Sequence, residues 1–130
     1  FNPDQLTVRT SFVGWPDHKG NSLLSWFMSQ TGMVPGYARV FWNGLTAWEL
    51  SKWLMRLCET TTTGVLHLGM PEYISKYTLL LYVNHVYQTN KIIYPDNILI
   101  ENKVLLSERQ DFPIPPFREQ LEEMKAAWKI

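Results

Sequence analysis

Cysteine is nearly missing. Cys58 stands alone among 130 residues, so no disulfide closes within the chain. Its place in a helix-like pattern is expected of a small core residue rather than a nucleophile. Net charge is missing too: Lys+Arg and Asp+Glu are both 12. Without a basic excess no nucleic-acid partner is expected, because such binders need a cationic face to neutralise phosphates. No apolar run is long enough to span a membrane and no signal peptide opens the sequence. The expected setting is therefore reducing and cytoplasmic, with no membrane partner. The chain opens on Phe1 rather than Met, as expected of a fragment of something longer.

Common chemical signatures are absent as well. No GxGxxG or GxxGxxG is present to cradle a dinucleotide pyrophosphate, and there is no Walker loop. No CxxC or HExxH occurs, and His18, His67 and His85 are scattered, so no metal ligand set is expected.

What is present fits one globular domain. Hydrophobic residues make up 45% and charged residues 18%, outside the disordered range. Strand and helix signals alternate along the chain. "LTVRTSFVG" (Leu6–Gly14) reads as a strand, and "WPDHKGN" (Trp15–Asn21) as a loop. "SLLSWFMSQTG" puts Leu23, Leu24, Phe27 and Met28 on one helical face, ended by Gly32. "YARVFW" (Tyr37–Trp42) reads as a short strand, followed by an Asn-Gly turn.

"TAWELSKWLMRLCE" is the best-marked helix. Thr46 and Glu49 have capping-box spacing, in which each side chain takes a backbone N–H of the other residue. Leu50, Trp53, Leu54 and Leu57 form its apolar stripe. "GVLHLG" (Gly64–Gly69) reads as a strand. "SKYTLLLYVNHVYQ" reads as a helix with Tyr77, Leu80, Leu81, Asn84 and Tyr87 near one stripe. "KIIYP" and "KVLLS" are short strand candidates. Pro113, Pro115 and Pro116 make a stiff link to a last helix, whose stripe is Phe117, Leu121, Met124 and Trp128. This order predicts an α/β fold, a small mixed sheet with covering helices.

"PEYISKY" (Pro71–Tyr77) raises a chemical question. An oxidoreductase Tyr–Lys dyad needs the two residues at i and i+4, on one helical face. Here Tyr73 and Lys76 are three apart, and Ser75 sits where an N-cap belongs. The stretch therefore reads as a helix start with a solvated Lys76, and no catalytic residue is expected in this chain.

The same stretches carry a resemblance. "LTVRTSFVG", "LLSWFMSQTGMVPGYARVFWNGLTAWELSKWL", "GVLHLGMPEYISKYTLLLYVNHVY" and "NKVLLSERQDF…PPFREQLEEM" resemble, in order, the C-terminal part of extended short-chain dehydrogenases/reductases. The dTDP-4-dehydrorhamnose reductase-like group of sugar-nucleotide reductases and epimerases is the nearest in pattern. The family's "GIYHL…ISKYDLL" is similar to the third stretch. Its Asp-Arg-Ser run falls where this chain has Asn102, Lys103 and Val104, a departure that keeps one positive charge without arginine's bidentate fork.

The resemblance implies a single substrate-binding domain over residues 1–130, with residues 1–14 as the last strand of a cofactor domain. That domain, an N-terminal Rossmann half, lies outside the chain. The resemblance also implies a nucleotide-sugar substrate, NAD or NADP in the full-length protein but no cofactor held here, and a homodimer formed through regions outside the chain. The substrate candidates are Arg9, Ser11, Asn21, Trp42, Asn43 and Lys103. Thr10 and Phe12 are expected near the nicotinamide.

Each candidate also has a plain structural reading. Phe12 is a core residue, Arg9 forms a salt bridge, the Asn-Gly stretch is a tight turn, and Asn21 and Ser22 cap a helix. Trp53 and Trp128 fit core stripes. Trp15, Trp26, Trp42 and Trp48 have no stripe partner, which suits packing against the missing half. Two other readings stand beside the enzyme: a non-catalytic regulatory relative, and an independent carbohydrate- or protein-binding module using exposed aromatics.

Overall fold

The computed structural model describes residues 4–17, 21–106 and 112–127. In chain order its elements are β1 (Leu6–Thr10), β2 (Phe12–Val13), α1 (Leu23–Ser29), β3 (Met33–Tyr37), β4 (Val40–Trp42), β5 (Leu45–Thr46) and α2 (Ala47–Cys58). They continue as β6 (Gly64–Leu68), β7 (Ile74–Ser75), α3 (Lys76–Tyr87), β8 (Ile92–Asp96), β9 (Glu101–Lys103) and α4 (Phe117–Ala127).

The fold is α/β, with its strands in small sheets. Among the described residues β1 pairs with β6, β2 with β5 and β3 with β8, all in parallel. The fourth sheet is mixed: β4 runs antiparallel to β7 on one side and parallel to β9 on the other. The predicted strand Leu6–Gly14 is broken at Ser11, where the chain changes partner from β6 to β5. The Ser11 carbonyl accepts the Leu45 N–H at 2.9 Å across that break.

The helices cover one core. Leu24 and Phe27 of α1, Leu50, Trp53 and Leu57 of α2, and Leu79, Leu80 and Val83 of α3 are buried together with Phe117, Leu121 and Met124 of α4. Period 3.6 explains the common face in each helix. Trp128 lies outside the described residues, as does His18.

Several local expectations change. The α3 stripe is carried by Leu79, Leu80, Val83 and Val86, while Leu81 faces solvent. Leu54 is also exposed, and so is Cys58, which sits on the outer face of α2 rather than in the core. β3 precedes the predicted Tyr37–Trp42 strand, which itself narrows to β4. The strand expected at "KVLLS" forms earlier, at Glu101–Lys103.

The capping box is half present. Thr46 Oγ1 accepts the Glu49 N–H at 3.2 Å. Glu49 does not reach back, however. Its carboxylate takes the Trp53 indole N–H at 3.0 Å and the Lys52 ammonium at 2.9 Å. The Thr46 N–H instead donates to Gln120 Oε1 of α4 at 2.9 Å.

Candidate functional site

β1 and β6 end side by side, at Thr10 and Leu68, and Thr10 Oγ1 donates to the Leu68 carbonyl at 2.9 Å. The carboxyl ends of parallel strands are where α/β proteins place ligands, because the loops that leave them are free to diverge. Ser11, Trp42, Asn43, Lys76 and Lys103 gather around this end.

Trp42 is the centre of the group. It is the last residue of β4 and lies opposite Ile74 of β7 and Lys103 of β9. Its ring is 1% exposed and meets Phe117 edge to face, 5.2 Å between centroids. Its indole N–H donates to Ser11 Oγ at 2.7 Å. The expected stacking of Trp42 on a base or sugar does not fit this burial: the ring is core, and it orients Ser11.

Asn43 is equally occupied. It is 3% exposed. Its Nδ2 donates to the carbonyls of Met70 (2.9 Å) and Leu105 (2.7 Å), and its Oδ1 accepts the Leu105 N–H at 2.8 Å. These bonds replace the expected substrate contact. They fasten the loop after β6 and the segment after β9 to the β4–β5 turn. The fit is tight: a Cβ on Gly69 would lie 2.8 Å from Asn43 Nδ2 and 2.9 Å from its carbonyl oxygen.

Lys76 departs most from its sequence reading. As predicted, Ser75 caps α3, accepting the Thr78 N–H at 3.1 Å, and Tyr73 lies outside the helix. Lys76, however, is half-buried rather than fully solvated. Its ammonium stands over the Trp42 ring, 5.2 Å from the centroid. Burial, and then the charge of Lys103, push its pKa below the usual lysine value. No local signal in "ISKY" marks this burial; it follows from β4 and β9 arriving beneath the helix start.

The remaining candidates are more open. Lys103 is exposed and pairs with Glu101 at 3.3 Å. Phe12 is 57% exposed rather than core. Arg9 is exposed on β1 and makes no ion pair among the described residues. Asn21 stands at the start of α1. It precedes the actual cap, Ser22, and the Asp17 carboxylate already accepts the Ser25 hydroxyl at that helix start. A carboxylate there disfavours the diphosphate expected at Asn21.

His67 reaches the Leu106 carbonyl at 3.0 Å, and no His/Cys/Asp/Glu group among the described residues has the makings of a metal site. A cleft of about 300 Å³ opens beside the site. Met70, Ile74, Tyr82, Ile114 and Phe117 line it, and Glu72 and Arg118 are its charged residues.

The β1–β6 pair, the mixed sheet and the covering helices among the described residues give a fold similar to that of solved dTDP-4-dehydrorhamnose reductases and UDP-N-acetylglucosamine 4-epimerases. The reductase from Bacillus anthracis, solved in complex with NADP, superposes with a TM-score of 0.78 at 13% identity, over 97% of this chain and 49% of its own. The Yersinia enterocolitica reductase gives 0.69 at 16% identity, over 93% of this chain and 48% of its own. UDP-N-acetylglucosamine 4-epimerase from Methanobrevibacter ruminantium, solved with UDP-N-acetylmuramic acid, gives 0.64 at 18% identity, over 93% and 44%. This chain thus spans about half the length of the structures it matches. No protein-family model matches the sequence, and no curated protein matches it.

No helix among the described residues is long and apolar enough to cross a membrane.

Proposed function

We propose that this chain is the substrate-binding portion of an NAD(P)-dependent sugar-nucleotide reductase, epimerase or dehydratase. An N-terminal Rossmann half outside the chain holds the nicotinamide and the catalytic Tyr–Lys pair, and β1 is the last strand of its sheet. The residues described here orient the nucleotide sugar, which lowers the entropic part of the barrier. The observation that carries the reading is the superposition over 97% of this chain on a reductase solved with NADP. The parallel ends of β1 and β6 and the exposure of Arg9 and Phe12 are in keeping with this reading.

Ser11 presents its hydroxyl from the end of β1, with its rotamer set by the Trp42 N–H. Lys103 meets the diphosphate as a point charge. Trp42 and Asn43 act indirectly, by holding the loops. In this reading the protein works in the cytoplasm.

The test is calorimetric and kinetic. The full-length protein should bind a dTDP- or UDP-sugar and turn it over only with NAD(P)H or NAD(P). The present chain alone should neither bind nicotinamide tightly nor oxidise it. Tight, stoichiometric NADPH binding by the chain alone overturns the division of labour. Binding of neither nucleotide-sugar class by the full-length protein overturns the substrate. The departure at Asn102–Val104 favours a second reading, a non-catalytic regulatory relative. That reading gains if the full-length protein binds sugar nucleotides without turnover.

A further inference from the structure

β3 and β8 form a two-stranded parallel sheet whose two faces differ. The inner face is covered. Val34 and Gly36 are buried there, and a Cβ on Gly36 would lie 2.8 Å from the Tyr77 ring of α3. The outer face is open. Met33 stands in register with Ile92, and Pro35 with Tyr94, so these residues share one side of the sheet. Met33 is 63% and Ile92 64% exposed, and Tyr37 and Tyr94 are exposed beside them.

The apolar surface continues past Asp96, where Ile98, Leu99 and Ile100 are exposed before β9 begins. Taking about 200 Å² for a fully exposed large side chain, the sheet face and this stretch together present about 800 Å². Monomeric proteins rarely leave so much in one patch, and it matches one partner's part of a standard interface, also about 800 Å². Each strand carries a proline, Pro35 or Pro95, which blunts its free edge against ladder pairing with another chain. A partner is therefore met face to face. Charge then sets its direction. Arg39 and Asp96 stand together where both strands end, and the Ala38 N–H donates to the Asp96 carbonyl at 2.9 Å. Neither side chain makes an ion pair among the described residues. At the opposite end, Lys91 is turned onto the carbonyls of Met28 and Gln30.

We propose that the outer face of β3–β8 is a dimerisation surface, on which a second copy of this chain seats the same face about a twofold axis along the strands. That axis lays β3 of one copy over β8 of the other, as in aligned sheet packing. Met33 packs on Ile92 of the second copy. Arg39 of each copy meets Asp96 of the other, so two ion pairs close the charged end. A twofold across the strands is disfavoured, because it sets both charges against the apolar Met33–Ile92 end. An apolar centre with one cation and one anion at its rim is complementary to itself, which is what a twofold contact requires. The surface goes beyond the proposed function and does not rest on it, and it is separate from any pairing through regions outside the chain.

The experiment is sedimentation equilibrium on the full-length protein. It compares the wild type with Met33→Glu, Ile92→Lys and a control, Met55→Lys, whose side chain is exposed on α2. The wild type should show an association step that Met33→Glu and Ile92→Lys each weaken by about a hundredfold or more, because each puts two unpaired charges into the buried face. Met55→Lys should leave the step unchanged. Both face residues point to solvent in the single copy, so the Tm of their variants should hold. Arg39→Ala and Asp96→Asn should each weaken the step by about fivefold, from two exposed ion pairs, and the double variant by no more than either. Asp96→Asn keeps the acceptor that the Ile98 N–H uses at 2.9 Å.

Cross-linking reads the geometry in a Cys58→Ser background, since Cys58 is exposed. In a mixture, a short bismaleimide should join Met33→Cys protein to Ile92→Cys protein more readily than either to itself. An association step that survives both face variants belongs to another surface and overturns this one. So does a wild type with no such step. If that wild type sediments with phosphatidylcholine vesicles and Ile92→Lys does not, the face belongs to a lipid surface instead of a second copy.

Discussion

The indole N–H of Trp42 donates to Ser11 Oγ at 2.7 Å, and so joins the last residue of β4 to the point where the first strand changes partner. One bond thereby fixes both a core ring and a candidate substrate hydroxyl. Ser11→Ala leaves the buried N–H without an acceptor, which costs about 1–3 kcal/mol. Urea unfolding should show that loss, and Trp42→Phe combined with Ser11→Ala should show little further cost from the missing hydroxyl. A Ser11→Ala protein of unchanged stability separates Ser11 from the ring.

Asn43 makes a second prediction. Its amide joins Met70 and Leu105, two loops with no direct sequence relation. Asn43→Leu removes three hydrogen bonds and leaves buried backbone groups unpaired, at a cost of about 3 kcal/mol or more. Gly69→Ala strains the same joint from the other side, through the 2.8 Å approach of its new Cβ to Asn43 Nδ2. Overpacking of this kind costs about 1–3 kcal/mol. Because the two changes act on one contact, their effects should not add. Additive losses in a double-mutant cycle by urea denaturation contradict the shared joint.

How much of this was legible in the sequence depends on reach. Thr46 and Ser75 were readable as caps because an N-cap is satisfied three residues away, at the Glu49 and Thr78 N–H groups. Strand β6 was readable from its alternation and bounding glycines. β3 was not, because Pro35 and Gly36 argue against a strand; an edge strand in a two-stranded pair tolerates both. Cys58 was misplaced because it follows Leu57 in the stripe by one residue, which turns it 100° away from the core. The site was least legible. Asn43 reads as a turn residue, and only the fold brings Met70 and Leu105 to its amide. Lys76 reads as a solvated first-turn lysine, and only β4 and β9 supply the ring and the second charge.

Gln120 carries a third prediction. It is 0% exposed. Its Oε1 takes the Thr46 N–H, and its Nε2 donates to the Pro115 carbonyl at 2.8 Å. It stands where Glu49 was expected to complete the cap, and it ties α4 to the start of α2. Gln120→Leu keeps the volume but orphans a backbone N–H and a carbonyl, so a loss of about 2–4 kcal/mol is expected, from about 1–3 for each group less the gain in apolar burial. Gln120→Glu keeps the acceptor and loses the donor. It should be destabilised further as pH rises through the carboxyl range, because the unpaired charge is buried. Thermal melts from pH 4 to 8 test this; a Tm for Gln120→Glu that is flat with pH excludes it.

The last prediction concerns alkaline pH, where two groups pull in opposite directions. Burial, and then the charge of Lys103, hold the Lys76 pKa below its ordinary 10.5. The unfolded chain therefore keeps that proton to higher pH than the folded chain does. Between the folded value and 10.5 the unfolded state binds more protons, so Lys76 makes stability rise with pH; the gain is lost as pH falls through the folded value. Burial raises Tyr87 above its ordinary 10.0, and its hydroxyl has no hydrogen-bond partner among the described residues. The unfolded state releases that proton first, so Tyr87 makes stability fall as pH climbs through 10. Tyr87→Phe should remove the alkaline fall at little cost near neutrality, since no hydrogen bond is lost. Lys76→Met should be more stable than the wild type at pH 7 and should lack the rise towards 10.5. Urea midpoints from pH 7 to 10.5 for the wild type, both single variants and the double variant separate the two slopes. A Lys76→Met curve parallel to the wild type returns Lys76 to the solvated surface.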